Sequence, residues 1–384
     1  MSESEFEVQD LWIERTADRL GFDSVARTLF QREELSPYLF VVTAVAFHLP
    51  LLSVVGWLQT GVLSIVVNPG EVFQLVAWPA VIWVLLRTKS KYAAVVADLP
   101  DAIDDDVQAV EIGGGLAGRM LTVIGVPASP TGKTDADLEQ FAPRRVFGAI
   151  LLAGLAAYAA QLLANPDSLV GPVAELTGPV VAGIRFYLVI PFVLYPIGAE
   201  FLTVVVGVLV LLPFKIRRAR LVDFSDPHGF AGLSPAGDLF KSVAVSYFVL
   251  LTLFTTFQTV GVGASPTSMF SSALLLSGLA VGLIFFFAPM FWVKSFVGDA
   301  KEAKIDALAQ RSRQVGDTDD RLPYAEPNSP ESVDQYTYDY LRIQQVDSTS
   351  EFPLDVAMLQ EVLFALVLPY VTSLAFDFVV NSAA

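Results

Sequence analysis

From Phe186 to Phe214 the chain runs without a charged side chain except Glu200. About 20 consecutive apolar residues span a hydrocarbon core of ~30 Å, so a run of this kind predicts a membrane-crossing helix rather than a soluble core element. Five more such segments follow the same rule, near Tyr38–Leu58, Phe73–Leu86, Val146–Ala164, Ser242–Val262 and Met269–Val293. In lipid every backbone amide has to be satisfied within the protein, which leaves helices as the structure for segments of this length. The expected fold is therefore an all-α polytopic transmembrane bundle of six to seven spans. Composition agrees, with 54% hydrophobic residues, 17% charged residues and a mean hydropathy of +0.56.

A last apolar segment, near Val362–Val380, contains Pro369 and Asp377. Residues 354–380 are expected to form a seventh span, with a re-entrant or interfacial helix as the alternative. Around these spans the chain divides into four parts. Residues 1–37 form a cytoplasmic segment in which Leu11, Trp12, Leu20, Phe22, Val25, Leu29 and Phe30 recur at helical spacing among Arg15, Arg19, Arg27 and Arg32, predicting an amphipathic helix on the membrane surface. The acidic start is unlike the basic n-region of a signal peptide. Residues 38–297 hold the six-helix bundle, with inner loops at 93–145 and 215–241. Residues 298–352 are expected to carry a cytoplasmic extension of the sixth helix over Asp299–Gln314 and an acidic loop at 316–335 rich in Asp, Pro and Ser. Residues 353–384 carry the last helix.

Charge predicts the orientation. Lys and Arg gather beside cytoplasmic helix ends. With the amino terminus inside, the expected outer loops 59–70, 165–184 and 263–268 contain no Lys or Arg, and of 24 basic residues Arg185 alone sits at an outer helix end. Arg185 is expected to snorkel to the headgroups, while Glu71, Asp167 and Glu175 leave the outer face acidic. The net charge of −16 disfavours nucleic acid as a partner. This acidic, lysine-poor, cysteine-free composition resembles that of haloarchaeal proteins, which implies the cell membrane of a halophilic archaeon.

Few catalytic chemistries fit. The absence of cysteine excludes disulfides and thiol catalysis, and with only His48 and His228 an all-histidine metal site is excluded. The stretch Gly125 to Thr134 ends in Gly132-Lys133-Thr134 like a phosphate-binding loop, but Pro127 stands where a glycine is required, and Pro127 and Pro130 lack amides to cradle phosphate. Asp223, Asp226 and His228 read as a turn in preference to a cation site, with Ser234-Pro235 opening the next helix. No G-x-S-x-G elbow occurs. Tyr336, Tyr338 and Tyr340 read as packing residues. The expectation is a non-enzyme with no metal and no cofactor.

Polar groups inside the spans are the candidate functional residues, because hydrocarbon penalises them. Glu200 lies about 22 Å from the outer end of its span at 1.5 Å per residue, after Pro191 and Pro196, which are expected to break the helix. It suits an ion or proton site, or a protonated carboxyl bonded to a neighbouring helix. His48 precedes Pro50 and suits either a free carbonyl or a relay. The fifth span carries Ser246, Thr252, Thr255, Thr256, Gln258 and Thr259, which either glue helices together or line a pore.

The layout of seven helices, inner amino terminus, short outer loops, long inner loops and almost no tail resembles the insect odorant and gustatory receptor superfamily. The residues that carry it are Tyr370 and the apolar stretch to Phe376, with Pro369 before the tyrosine and Phe376-Asp377 in place of the family's Gln-Phe. The resemblance implies a homo-oligomeric ligand-gated cation channel in the lipid bilayer, opened by a small ligand, with Tyr370, Thr372 and Asp377 on the last helix near the pore. A secondary transporter using Glu200 beside a broken fourth helix, and a membrane scaffold or sensor without transport activity, are the alternatives.

Overall fold

A computed structural model describes residues 8–99, 138–164, 166–226, 230–261, 269–315, 330–351 and 356–383. The phosphate-loop-like stretch 125–134, His228 and residues 316–329 lie outside the described residues. Among the described residues every regular element is helical, and six helices are long and apolar enough to cross a membrane. These are Glu33–Thr60, Gly70–Asp98, Arg144–Ala164, Pro179–Ala219, Ser234–Thr256 and Leu275–Arg311, called spans 1 to 6. Spans 1 to 4 each contain the segment expected from the sequence, and spans 5 and 6 overlap Ser242–Val262 and Met269–Val293.

Span 4 is the core. Its most apolar window is 67% buried, against none for span 3, so one span is enclosed by protein and the other faces outward. Span 5 lies along spans 2 and 6 and along the last helix, Val356–Ala383. Buried Phe240, Val243 and Phe248 of span 5, with Phe286 and Met290 of span 6, belong to one continuous apolar cluster. The last helix buries Val362 and Ala365 and is tied to span 5 by Lys241 and Glu361, 3.3 Å apart.

The prolines do not break span 4. Pro191 lies within a ten-residue π-helical stretch, Arg185–Leu194, and Pro196 opens the following α-helical turns, Tyr195–Val206. Proline lacks an amide and its ring collides with the carbonyl four residues back. A π turn lengthens the repeat by one residue and absorbs that collision without ending the helix. Span 1 uses the same device at Phe47–Leu51, which contains Pro50. Pro369 likewise lies inside the last helix, which continues through it.

Several loops differ from expectation. The segment 165–184, expected as an outer loop, is largely helical, as Pro166–Thr177 and Pro179–Ile184, each opening on a proline suited to a first helical turn. Residues 330–335, expected within a loop, open the helix Pro330–Ser348. Span 6 continues as one helix, Met269–Val315, through the stretch expected to extend it.

Residues 138–141 wedge against the bundle near the ends of spans 2 and 4. Leu138 and Phe141 are fully buried, Tyr92 donates its hydroxyl proton to the Leu138 carbonyl at 2.8 Å, and Lys215 donates to the Gln140 carbonyl at 2.9 Å. Gly207 makes this approach possible. A β-carbon there would stand 2.3 Å from the Phe141 carbonyl oxygen, closer than any side chain tolerates.

Candidate functional site

The amino-terminal segment departs most from its expected place. It forms two helices, α1 (Trp12–Arg19) and α2 (Phe22–Phe30). Instead of lying on the surface, α1 is inserted among the spans: Leu11, Ile13 and Ala17 are fully buried, and Trp12 stacks on Phe147 of span 3 and meets Phe40 of span 1 edge-on. The apolar run Leu11-Trp12-Ile13, with Ala17 one turn further on, drives that burial, and no interface lipid is needed to cover it. Only α2 keeps the expected exposed apolar face, with Val25, Leu29 and Phe30 next to exposed Leu20.

A helix N-terminus has unsatisfied amides and a partial positive charge, so inserting one into an apolar bundle requires an acceptor. Glu200 supplies it. One carboxylate oxygen accepts from the Trp12 amide, and the other accepts from the Ile13 amide at 3.1 Å. Glu14, three residues into the segment, accepts from the Leu11 amide at 2.7 Å. Lys89 of span 2 then bridges Glu14 at 2.7 Å and Asp10 at 2.9 Å, holding the start of α1 from the other side. Arg15 lies close to both Glu200 and Arg144, and burial, then the repulsion of Arg144, holds its guanidinium below the usual arginine value. Glu200, which the sequence suits to an ion or proton site or to a carboxyl bonded to a neighbouring helix, thus caps the N-terminus of a helix 187 residues away.

A second buried polar cluster joins spans 1, 2 and 4. Arg185 does not snorkel. It is 7% exposed and its Nη1 donates to Glu71 Oε1 at 2.5 Å, with Nη2 3.5 Å from the His48 carbonyl. Glu71 is buried as well, and its other oxygen accepts from the Ser64 hydroxyl at 3.0 Å. Ser53 lies 3.0 Å from Ser64 and accepts from the Ile65 amide at 2.9 Å. Glu71 is therefore engaged within the fold and is not part of an acidic outer face. Its signal was in the sequence: Asn68 caps the next helix by accepting from the Gly70 amide, which puts Glu71 in the first helical turn.

His48 is 6% exposed, beside Gln74, and faces a cleft between spans 1, 2 and 4. In span 5, Ser246 and Thr252 donate to the carbonyls four residues back, and Thr255 to that three back, so these hydroxyls are satisfied within their own helix. Gln258 lies in the same helix, with its side chain outside the described residues. On the last helix Tyr370 is 55% exposed and Thr372 half-buried, whereas the Asp377 side chain lies outside the described residues. Tyr338 and Tyr340 are exposed, contrary to the packing role expected of them.

Asp223 and Asp226 serve their own loop. Asp223 accepts from the Ser225 amide at 2.8 Å, and Asp226 from the Gly232 amide at 3.0 Å, as a turn requires. No group of three or more potential metal ligands occurs among the described residues. Comparison with family models, with curated proteins and with solved structures found no match for this chain.

Proposed function

We propose that the chain is a membrane-embedded sensor whose amino-terminal segment, on the cytoplasmic side, reports the state of the bundle by docking on it. One observation carries the reading: both oxygens of Glu200, deep in the most buried span, are committed to the backbone of α1. An amide-capping carboxylate holds a helix only while its span keeps its place, so a shift in span 4 is transmitted to α1 and to the exposed apolar face of α2. The inward orientation of the amino terminus is supported by the distribution of Lys and Arg.

A carrier role for Glu200 would first require α1 to leave. The homo-oligomeric channel keeps its architectural resemblance and one compatible feature, the exposure of Tyr370 on the last helix. The sensor reading is tested by spin labels on the naturally cysteine-free chain, at Ser24→Cys of α2 and Gln344→Cys, both exposed. A single narrow distance population in the parent and an added broad one in Glu200→Ala support it; identical distributions in the two reject it.

A further inference from the structure

Two residues lining the cleft at His48 carry polar atoms that nothing described so far uses. It is lined by Val41, Val45 and His48 of span 1, Trp78 of span 2, and Val189 and Ile197 of span 4, among other apolar side chains. The His48 Nδ1 and the Trp78 Nε1 are both buried, and neither has a hydrogen-bond partner among the described residues. Leaving a buried polar group unpaired is costly, and more so between apolar walls. Two such groups in one cleft point to a guest.

The chemistry of the guest follows from theirs. An indole N–H only donates, so the guest needs an acceptor. Imidazole Nδ1 donates in one tautomer and accepts in the other, so the guest must meet either. A hydroxyl does both at a single oxygen, accepting from Trp78 while donating to or accepting from His48. An ammonium cannot accept from Trp78, and a carboxylate, which could accept from both, would bring an unpaired charge between apolar walls. The enclosed part of the cleft has room for about one water-sized group, while its remaining walls, Val41, Val45, Val189 and Ile197, are hydrocarbon. We infer that this cleft binds the hydroxyl group of an aliphatic alcohol, with the alkyl chain leaving past the half-buried Ala44, Val193 and Leu194. The hydroxyl would come from a membrane lipid or from a free alcohol, and the inference does not depend on the docking of α1.

The test measures saturable binding of 1-octanol and of octane to the purified full-length protein in detergent, by the concentration-dependent shift of the thermal midpoint. The expected result is a saturable shift with octanol and at least a tenfold weaker effect with octane, a comparison that needs no variant. Trp78→Phe, which keeps an aromatic wall and removes the donor, and Ala44→Phe, which fills the cleft, should each abolish the octanol increment. Lipid extracted from the purified protein separates the sources. A hydroxyl-bearing lipid retained by the parent and lost from Trp78→Phe identifies a lipid, and octanol binding without such a lipid identifies a free alcohol. Equal effects of octanol and octane, or an octanol effect untouched by both substitutions, would mean that the cleft holds only water and would overturn the inference.

Discussion

Arg185 and Glu71 form an ion pair with both side chains buried, although 114 residues separate them along the chain. A charge in this setting is tolerated only with a partner and further hydrogen bonds, which the His48 carbonyl and the Ser64 hydroxyl provide. Removing one partner strands the other. Arg185→Leu alone should therefore destabilise the protein by about 3–5 kcal/mol, and the double variant Arg185→Leu, Glu71→Leu should recover most of that loss. Reversible denaturation in mixed micelles measures both. A single variant as stable as the parent would contradict the pairing.

Gly207 is required by the passage of residues 138–141 across span 4. Gly207→Val should push the Phe141 carbonyl away and cost about 1–3 kcal/mol as an overpacked contact. Limited proteolysis after Leu138–Phe141 should become faster while span 4 itself remains protected. Unchanged proteolysis would show that the wedge is not anchored there.

Lys89 ties span 2 to Glu14 and Asp10 of the amino-terminal segment. Because these side chains are only partly buried, the pairs are screened by salt. Lys89→Met should loosen α1 by about 1 kcal/mol at low salt and by less in concentrated salt, read as cleavage of the segment before Phe22 by a protease. Equal cleavage of parent and variant at low salt would count against the bridge.

The orientation makes a separate forecast. On sealed cells, Val62→Cys should react with a membrane-impermeant maleimide and Arg311→Cys should not, until the membrane is opened. Reaction at Arg311→Cys in intact cells would reverse the assignment of sides.

The spans were legible because hydrocarbon imposes length and polarity on each segment by itself, whatever its neighbours. Glu200 was also legible as exceptional, since a carboxyl in a long apolar run needs a reason. Its partner was not legible, because the acceptor is in span 4 and the donors are backbone amides of residues 12 and 13, which carry no side-chain signature. The amphipathic spacing of residues 11–30 correctly marked helices but could not distinguish a lipid interface from a protein groove, as both reward the same apolar stripe. Pro191 was read as a break because sequence shows the missing amide and not the π turn that accommodates it. Arg185 is expected at the headgroups because Glu71, just past the 59–70 loop and 114 residues away, reads as part of an acidic outer face and not as a buried partner.

Amide hydrogen exchange at Trp12 and Ile13 tests the capping of α1 by Glu200 most directly. In the parent both amides should be protected, and Glu200→Ala should speed their exchange at least tenfold, equivalent to ~1.4 kcal/mol, with little change at span 5. Glu200→Gln, which keeps one acceptor oxygen, should fall between the two. Unprotected Trp12 and Ile13 amides in the parent, or protection unaltered by Glu200→Ala, would contradict the account.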